Sequence, residues 1–143
     1  MQRGACPGRA DIPDVADLAL FAGCTRRQLA RIRSLVTAVL LPAGQTVIEC
    51  GARPREFAVI ADGEVAVEDP RGVELAVLGP GTIVGELGLL RRAPAGATVR
   101  TLTPVVLYVG NRWEFETMLR IAPNVDRQVL HLALARVRTP QPD

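Results

Sequence analysis

Gly81-Thr82-Ile83-Val84-Gly85-Glu86-Leu87-Gly88-Leu89-Leu90-Arg91-Arg92-Ala93-Pro94-Ala95-Gly96-Ala97-Thr98-Val99 is the stretch on which the reading of this chain turns. A short apolar strand runs into Gly85, a single helical turn follows, and a strand resumes after Pro94. The first N–H groups of such a turn have no acceptor within the helix and carry partial positive charge, which suits an anion. Gly85 and Gly88 predict a backbone that a ligand can approach closely. Glu86, at the start of the turn, is placed to accept a hydrogen bond from a ligand hydroxyl.

On either side the chain reads as short β-branched strands broken by Gly and Pro. Val39-Leu40-Leu41 stops at Pro42-Ala43-Gly44, and Thr46-Val47-Ile48-Glu49-Cys50 stops at Gly51. Phe57-Ala58-Val59-Ile60 leads into Asp62-Gly63, which predicts a tight hairpin because both residues tolerate positive φ. Val65-Ala66-Val67 turns at Asp69-Pro70-Arg71-Gly72 into Val73-Glu74-Leu75-Ala76-Val77-Leu78. Two more strands are predicted, Ala97–Leu102 and Val105–Val109. Even spacing with no helices between strands predicts a mainly β domain, a β-jelly-roll barrel.

Flanking α-helices close both ends. A short helical stretch is predicted over Val15–Phe21. Thr25-Arg26-Arg27-Gln28 is a capping box, opening a helix whose apolar face is Leu29, Ile32, Leu35 and Val36. Asn111 and Glu114 make a second box, with Trp113, Phe115, Met118 and Leu119 as packing residues. A last helix is predicted from about Val125 to Val137. The domain therefore spans residues 14–138, between loose ends at 1–13 and 139–143.

From about Leu20 to Val137 the chain resembles the cyclic-nucleotide-binding domain family, which includes the catabolite activator protein, protein kinase A regulatory subunits and cyclic-nucleotide-gated channels. The spacing of Gly44, Gly51 and Gly63, the Gly81…Gly85-Glu86-Leu87 run and the flanking helices carry the likeness. The family's phosphate cassette reads Gly-Glu-Leu-Ala-Leu, a short loop, then Pro-Arg-Ala-Ala-Thr-Val. This chain has Gly85-Glu86-Leu87-Gly88-Leu89 and Pro94-Ala95-Gly96-Ala97-Thr98-Val99 with no gap. The resemblance implies a regulatory module that binds cAMP or cGMP and transmits occupancy through its C-terminal helices to an effector. It implies that Glu86 holds the ribose hydroxyl, that N–H groups near Leu87 and Gly88 face the phosphate, and that Gly96 and Ala97 lie along phosphate or base. Gly96, where cGMP-selective relatives often carry a hydroxyl residue, tilts the preference towards cAMP.

One departure stands out. The family's phosphate-pairing arginine aligns with Ala95. Arg100 is predicted to point outward, since Ala95, Ala97 and Val99 share the other face of the strand. Arg91 and Arg92 precede Pro94; either one curls back as a substitute, or the two are a solvated loop charge pair. The alternative to a nucleotide sensor is a degenerate relative that serves as a docking or oligomerisation module or takes another ligand.

Composition narrows the rest. Of 143 residues, 48% are hydrophobic and 3% aromatic, so Val, Leu, Ile and Ala must fill the core. Every basic residue is arginine and the net charge is only +2, too little for a dedicated nucleic-acid binder. The chain stops at Asp143 before any helix-turn-helix, so direct DNA binding is not expected. Cys6, Cys24 and Cys50 are odd in number and form no CxxC, which argues for free thiols in a reducing cytoplasm and against a disulfide framework or zinc. No signal peptide or membrane span is expected. His131 and Ser34 sit outside any catalytic constellation, and no enzyme activity or cofactor is expected. Leu130, Leu134 and Val137 form a stripe that either pairs two subunits in a homodimer, closes over the pocket, or packs on the barrel.

Overall fold

The computed structural model describes residues 12–127 and 129. Asp14 accepts from the Ala16 N–H, and two 3-10 turns follow, Val15–Asp17 and Ala19–Phe21. The single short helix expected here is interrupted because Leu18 adopts an extended backbone, φ −94°, which lets Leu18, Leu20 and Phe21 all face inward. Helix α1 spans Arg26–Leu35 and starts at the predicted capping box: Thr25 Oγ1 accepts from Gln28 N–H at 3.1 Å and Gln28 Oε1 from Thr25 N–H at 2.8 Å.

There follow β1 Thr37–Leu41, β2 Thr46–Ile48, β3 Glu56–Asp62, β4 Val65–Glu68, β5 Glu74–Leu78, β6 Ile83–Val84, α2 Glu86–Arg91, β7 Thr98–Thr101, β8 Val105–Asn111 and α3 Arg112–Ile121. The strands form two four-stranded antiparallel sheets, β1-β8-β3-β6 and β2-β7-β4-β5. This is the double-sheet layout of a jelly roll. Among the described residues no strand pairing joins the sheets into a closed barrel.

Strand β3 shows why the fold holds. Phe57 through Ala61 are all buried, because both faces of the strand are covered. Phe57, Val59 and Ala61 belong to the core beneath the helices, with Phe21, Ile32, Leu89, Phe115 and Met118. Ala58 and Ile60 belong to the core between the sheets, with Val65, Val84, Val99, Val105 and Leu107. Each fully buried side chain of Val, Leu, Ile or Phe size contributes about 1.5–3 kcal/mol.

The Asp62-Gly63 turn is not the hairpin expected from its sequence. Strand β3 pairs with β6 and β8, whereas β4 pairs with β5 and β7, so the turn carries the chain from one sheet to the other. Gly63 has φ +90°, and a Cβ there would run into the Pro104 carbonyl oxygen. The next residue is held by Thr103 Oγ1, which accepts from Glu64 N–H at 2.9 Å. Positive φ is a local property; which strands then pair is decided by distant partners. The Asp69–Gly72 turn does join paired neighbours, β4 and β5. There the buried Asp69 carboxylate accepts from the N–H groups of Val73 and Arg71 at 2.8 and 2.9 Å. Those bonds, that from Val73 foremost, hold the carboxyl below its ordinary pKa.

The two helical ends grip each other. Gln28 Nε2 donates to the Ile121 carbonyl, and Asn124 Nδ2 to that of Ala22. The last helical stretch begins at residue 123 rather than near Val125, since Pro123 is pre-set for a first helical position. The chain beyond Val129, with His131, the Leu130–Leu134–Val137 stripe and the predicted tail, lies outside the described residues, as do residues 1–11 with Cys6. Trp113 is not a packing residue: it is 64% exposed, because α3 turns Phe115 and Met118 inward and leaves Trp113 on the outer side.

Candidate ligand-binding cassette

Strand β6 ends at Gly85, whose φ of +87° turns the chain into α2. The glycine is required twice over. Its conformation is left-handed, and a Cβ would lie 2.6 Å from the Glu56 carbonyl oxygen and 3.5 Å from Ile48 Cδ1. Gly88 has the same kind of neighbour: a Cβ there would meet the Pro54 ring at 2.5–3.1 Å. On the side where a Cβ would stand, these two glycines are packed against the protein's own backbone and proline.

Glu86, the first residue of α2, is fully buried and is partnered within the protein. Leu87 is half-buried, and Leu89 reaches the core beneath the helices. The helix ends at Arg92, in a left-handed conformation (φ 54°) more usual for glycine or asparagine; its N–H donates to the Gly88 carbonyl. The Leu89 carbonyl accepts from the Arg112 guanidinium at 3.0 Å, a cation at the negative end of the helix.

The second half of the cassette is fastened through its backbone. Ala95 N–H donates to the Ala52 carbonyl and its own carbonyl accepts from Gly51 N–H, both at 2.8 Å. Thr98 Oγ1 accepts from Cys50 N–H at 3.1 Å. Ala95 and Ala97 are half-buried, and Gly96 is exposed with open space where a side chain would stand. Val99 points inward and Arg100 outward, as the alternation predicts; Arg100 bonds Glu68 on the outer face at 3.4 Å.

Both halves therefore lean on one segment, residues 48–56: Gly85 on Ile48 and Glu56, Gly88 on Pro54, Ala95 on Gly51 and Ala52. The sequence shows this segment only as the end of a strand run, Thr46–Cys50, and the Gly51 that stops it. A cleft of about 160 Å³ runs along it, bordered by Val47, Ile48, Glu49, Ala52 and Arg53 through Glu56. A second cavity of about 300 Å³ lies at the Pro54 side of α2, lined by Arg53, Pro54, Gly88, Arg92, Ala93 and Arg112. Arg92 is there, and Ala95, Gly96 and Ala97 do not line that cavity. Among the described residues no cluster of His, Cys, Asp or Glu could hold a metal ion, and no helix is long and apolar enough to cross a membrane.

Comparison with known proteins gives this geometry a context. The family model for the cyclic nucleotide-binding domain matches residues 38–121. The acetyltransferase Pat of Mycolicibacterium smegmatis is 35% identical over 135 residues, which cover 90% of this chain and 40% of that protein. The cyclic nucleotide-gated potassium channel mll3241 of Mesorhizobium japonicum is 30% identical over 122 residues, 85% of this chain and 34% of the channel. Among solved structures, the Thermus thermophilus catabolite activator protein superposes with a TM-score of 0.73 at 25% identity, covering 83% of this chain and 58% of that one. This chain thus spans well under half the length of these two curated relatives.

Proposed function

The chain belongs to the cyclic nucleotide-binding domain family, and from that premise we propose that it is a regulatory module that senses cAMP or cGMP and passes occupancy on through its C-terminal helical segment. The observation that carries this reading is the match over residues 38–121, which contains the whole cassette from Gly81 to Val99. Glu86 accepts the ribose hydroxyl, in competition with its present internal partner. The N–H groups of Leu87 and Gly88 meet the cyclic phosphate, and Gly96 and Ala97 lie along phosphate or base. The domain regulates and does not itself catalyse; an effector, catalytic or otherwise, belongs to the rest of its protein or to a partner. Its setting is the cytoplasm, consistent with the free thiols of Cys24 and Cys50.

The cassette lacks its arginine. A charge-assisted hydrogen bond is worth about 1.5–3 kcal/mol. Ala95 therefore leaves the phosphate held roughly 10- to 200-fold more weakly, at 1.4 kcal/mol per decade. The same residue supports the second reading, a domain that has lost cyclic nucleotides and serves in docking, in homodimer formation, or on another ligand.

Calorimetric titration of the chain and of Ala95→Arg with cAMP and cGMP separates the two. Micromolar or tighter binding by the native chain, strengthened at least tenfold in the variant, supports the sensor. Heat from the variant alone supports a cassette that has abandoned nucleotides. No heat from either leaves the family relation to speak for the fold only.

A further inference from the structure

The cavity on the Pro54 side of α2 has a character that the sensing reading does not use. Three of its six lining residues are arginines, Arg53, Arg92 and Arg112, and none is acidic. They come from three separate elements: the loop between β2 and β3, the end of α2, and the start of α3. Arg53 and Arg92 are exposed, and an anion held between like charges that border one concavity lowers their mutual repulsion. Arg112 gives one donor to the Leu89 carbonyl and lies 3.8 Å from the Glu116 carboxylate, which leaves most of its five N–H groups without a bond among the described residues. Arg53 and Arg92 form no ion pair among the described residues. Arg53 also borders the neighbouring cleft, where Glu49 and Glu56 stand, so acidic groups are at hand but not on the cavity wall.

Arg92 sharpens the case. It is the one non-glycine residue with positive φ among the described residues, at a helix end where glycine would rest without strain. A side chain kept at a backbone cost is a side chain that does something, and here it borders the cavity. The cavity volume, about 300 Å³, is at the lower end of the range of small-ligand clefts, about 300–1,000 Å³. Planar guanidinium forks match phosphoryl oxygens pairwise.

We propose that Arg53, Arg92 and Arg112 form a second anion site, on the Pro54 side of α2 and bordering the cassette, that binds a diphosphate-bearing small molecule. The site is open to solvent and its affinity falls as salt screens the charges. Pyrophosphate and inorganic phosphate, titrated calorimetrically into the full chain at low ionic strength, are the probes. Pyrophosphate binds at least tenfold tighter than phosphate. Arg92→Gly and Arg53→Gln each lower pyrophosphate affinity at least tenfold, and Arg92→Gly unfolds at the same or a higher temperature than the native chain, which excludes misfolding as the cause. Arg100→Gln, on the outer face of β7, leaves the affinity unchanged, and saturating cAMP does not displace pyrophosphate. Absence of heat at millimolar pyrophosphate, equal affinity for phosphate, indifference to both arginine substitutions, or displacement by cAMP would each overturn the proposal.

Discussion

Four glycine-to-alanine substitutions separate two costs that the structure assigns to different positions. At Gly96 the backbone is not left-handed and a Cβ meets nothing within 4 Å, so Gly96→Ala costs nothing beyond about ±0.5 kcal/mol. At Gly44 the φ of +85° is the only obstacle, since a Cβ again meets nothing; left-handed backbone costs an L-residue about 1–2 kcal/mol. At Gly110 the obstacle is steric alone. A Cβ would lie 2.6 Å from Phe57 Cε1, and that ring is fully buried 5.2 Å from the Phe115 ring, so it cannot swing away. Overpacking of this sort costs about 1–3 kcal/mol. Gly85 carries both burdens, φ +87° and a Cβ 2.6 Å from a backbone oxygen, so Gly85→Ala loses about 2–5 kcal/mol. Alanine also stiffens the unfolded chain, by about 0.4–1 kcal/mol, but equally in all four, so the differences are clean. Urea denaturation at constant m-value reads them. The order of loss is Gly85 > Gly110 and Gly44 > Gly96. If Gly85→Ala loses no more than Gly44→Ala, the close approach of the cassette turn to Glu56 is wrong, and with it the seating of the cassette on residues 48–56.

Two other outcomes follow from particular bonds. Thr101 is buried, donating to the Pro42 carbonyl and accepting from Gln45 N–H, both at 2.8 Å. Thr101→Val lowers the unfolding free energy by about 1 kcal/mol, the low end for a lost pair because water reaches Pro42 and Gln45; an unchanged denaturation midpoint would refute this. Asp14 is held at a pKa of about 2, chiefly by its bond to Arg33, below its ordinary 3.8. A depressed folded pKa adds stability above the unfolded value, and that stability is lost as pH falls from about 4 to about 2. The pair is half-exposed, so the effect stays within about 1 kcal/mol. Asp14→Asn should flatten the stability–pH curve in that window and leave it parallel above pH 5; an unaltered slope would remove Arg33 as the cause.

Much of this was written in local signals. Capping boxes at Thr25 and Asn111 mark helix starts because their bonds span three residues, and both are where the sequence puts them. The strand runs and the Asp69–Gly72 turn are local in the same sense. Asp62-Gly63 was not decipherable: the positive φ is local, but whether the turn makes a hairpin or crosses between sheets depends on Pro104 and Thr103, forty residues on. Trp113 was misread because an aromatic residue two places from Phe115 looks like core until the face of the helix is fixed. In the cassette, the order Gly85-Glu86-Leu87 was recognisable, but not that Glu56 and Pro54 pack against the Cβ side of its glycines. Nor could the sequence show Arg53, Arg92 and Arg112 bordering one cavity, since one loop and two helix ends, far apart in sequence, supply them.

Strand β3 has a consequence for how the molecule comes apart. Its odd residues face one core and its even residues the other, so there is no plane along which the two compartments can part while either stays closed. Amides from Phe57 to Ile60 should then exchange with solvent only when the entire molecule opens. Melting should be a single transition, in which ligand bound to any part of the fold raises one common midpoint.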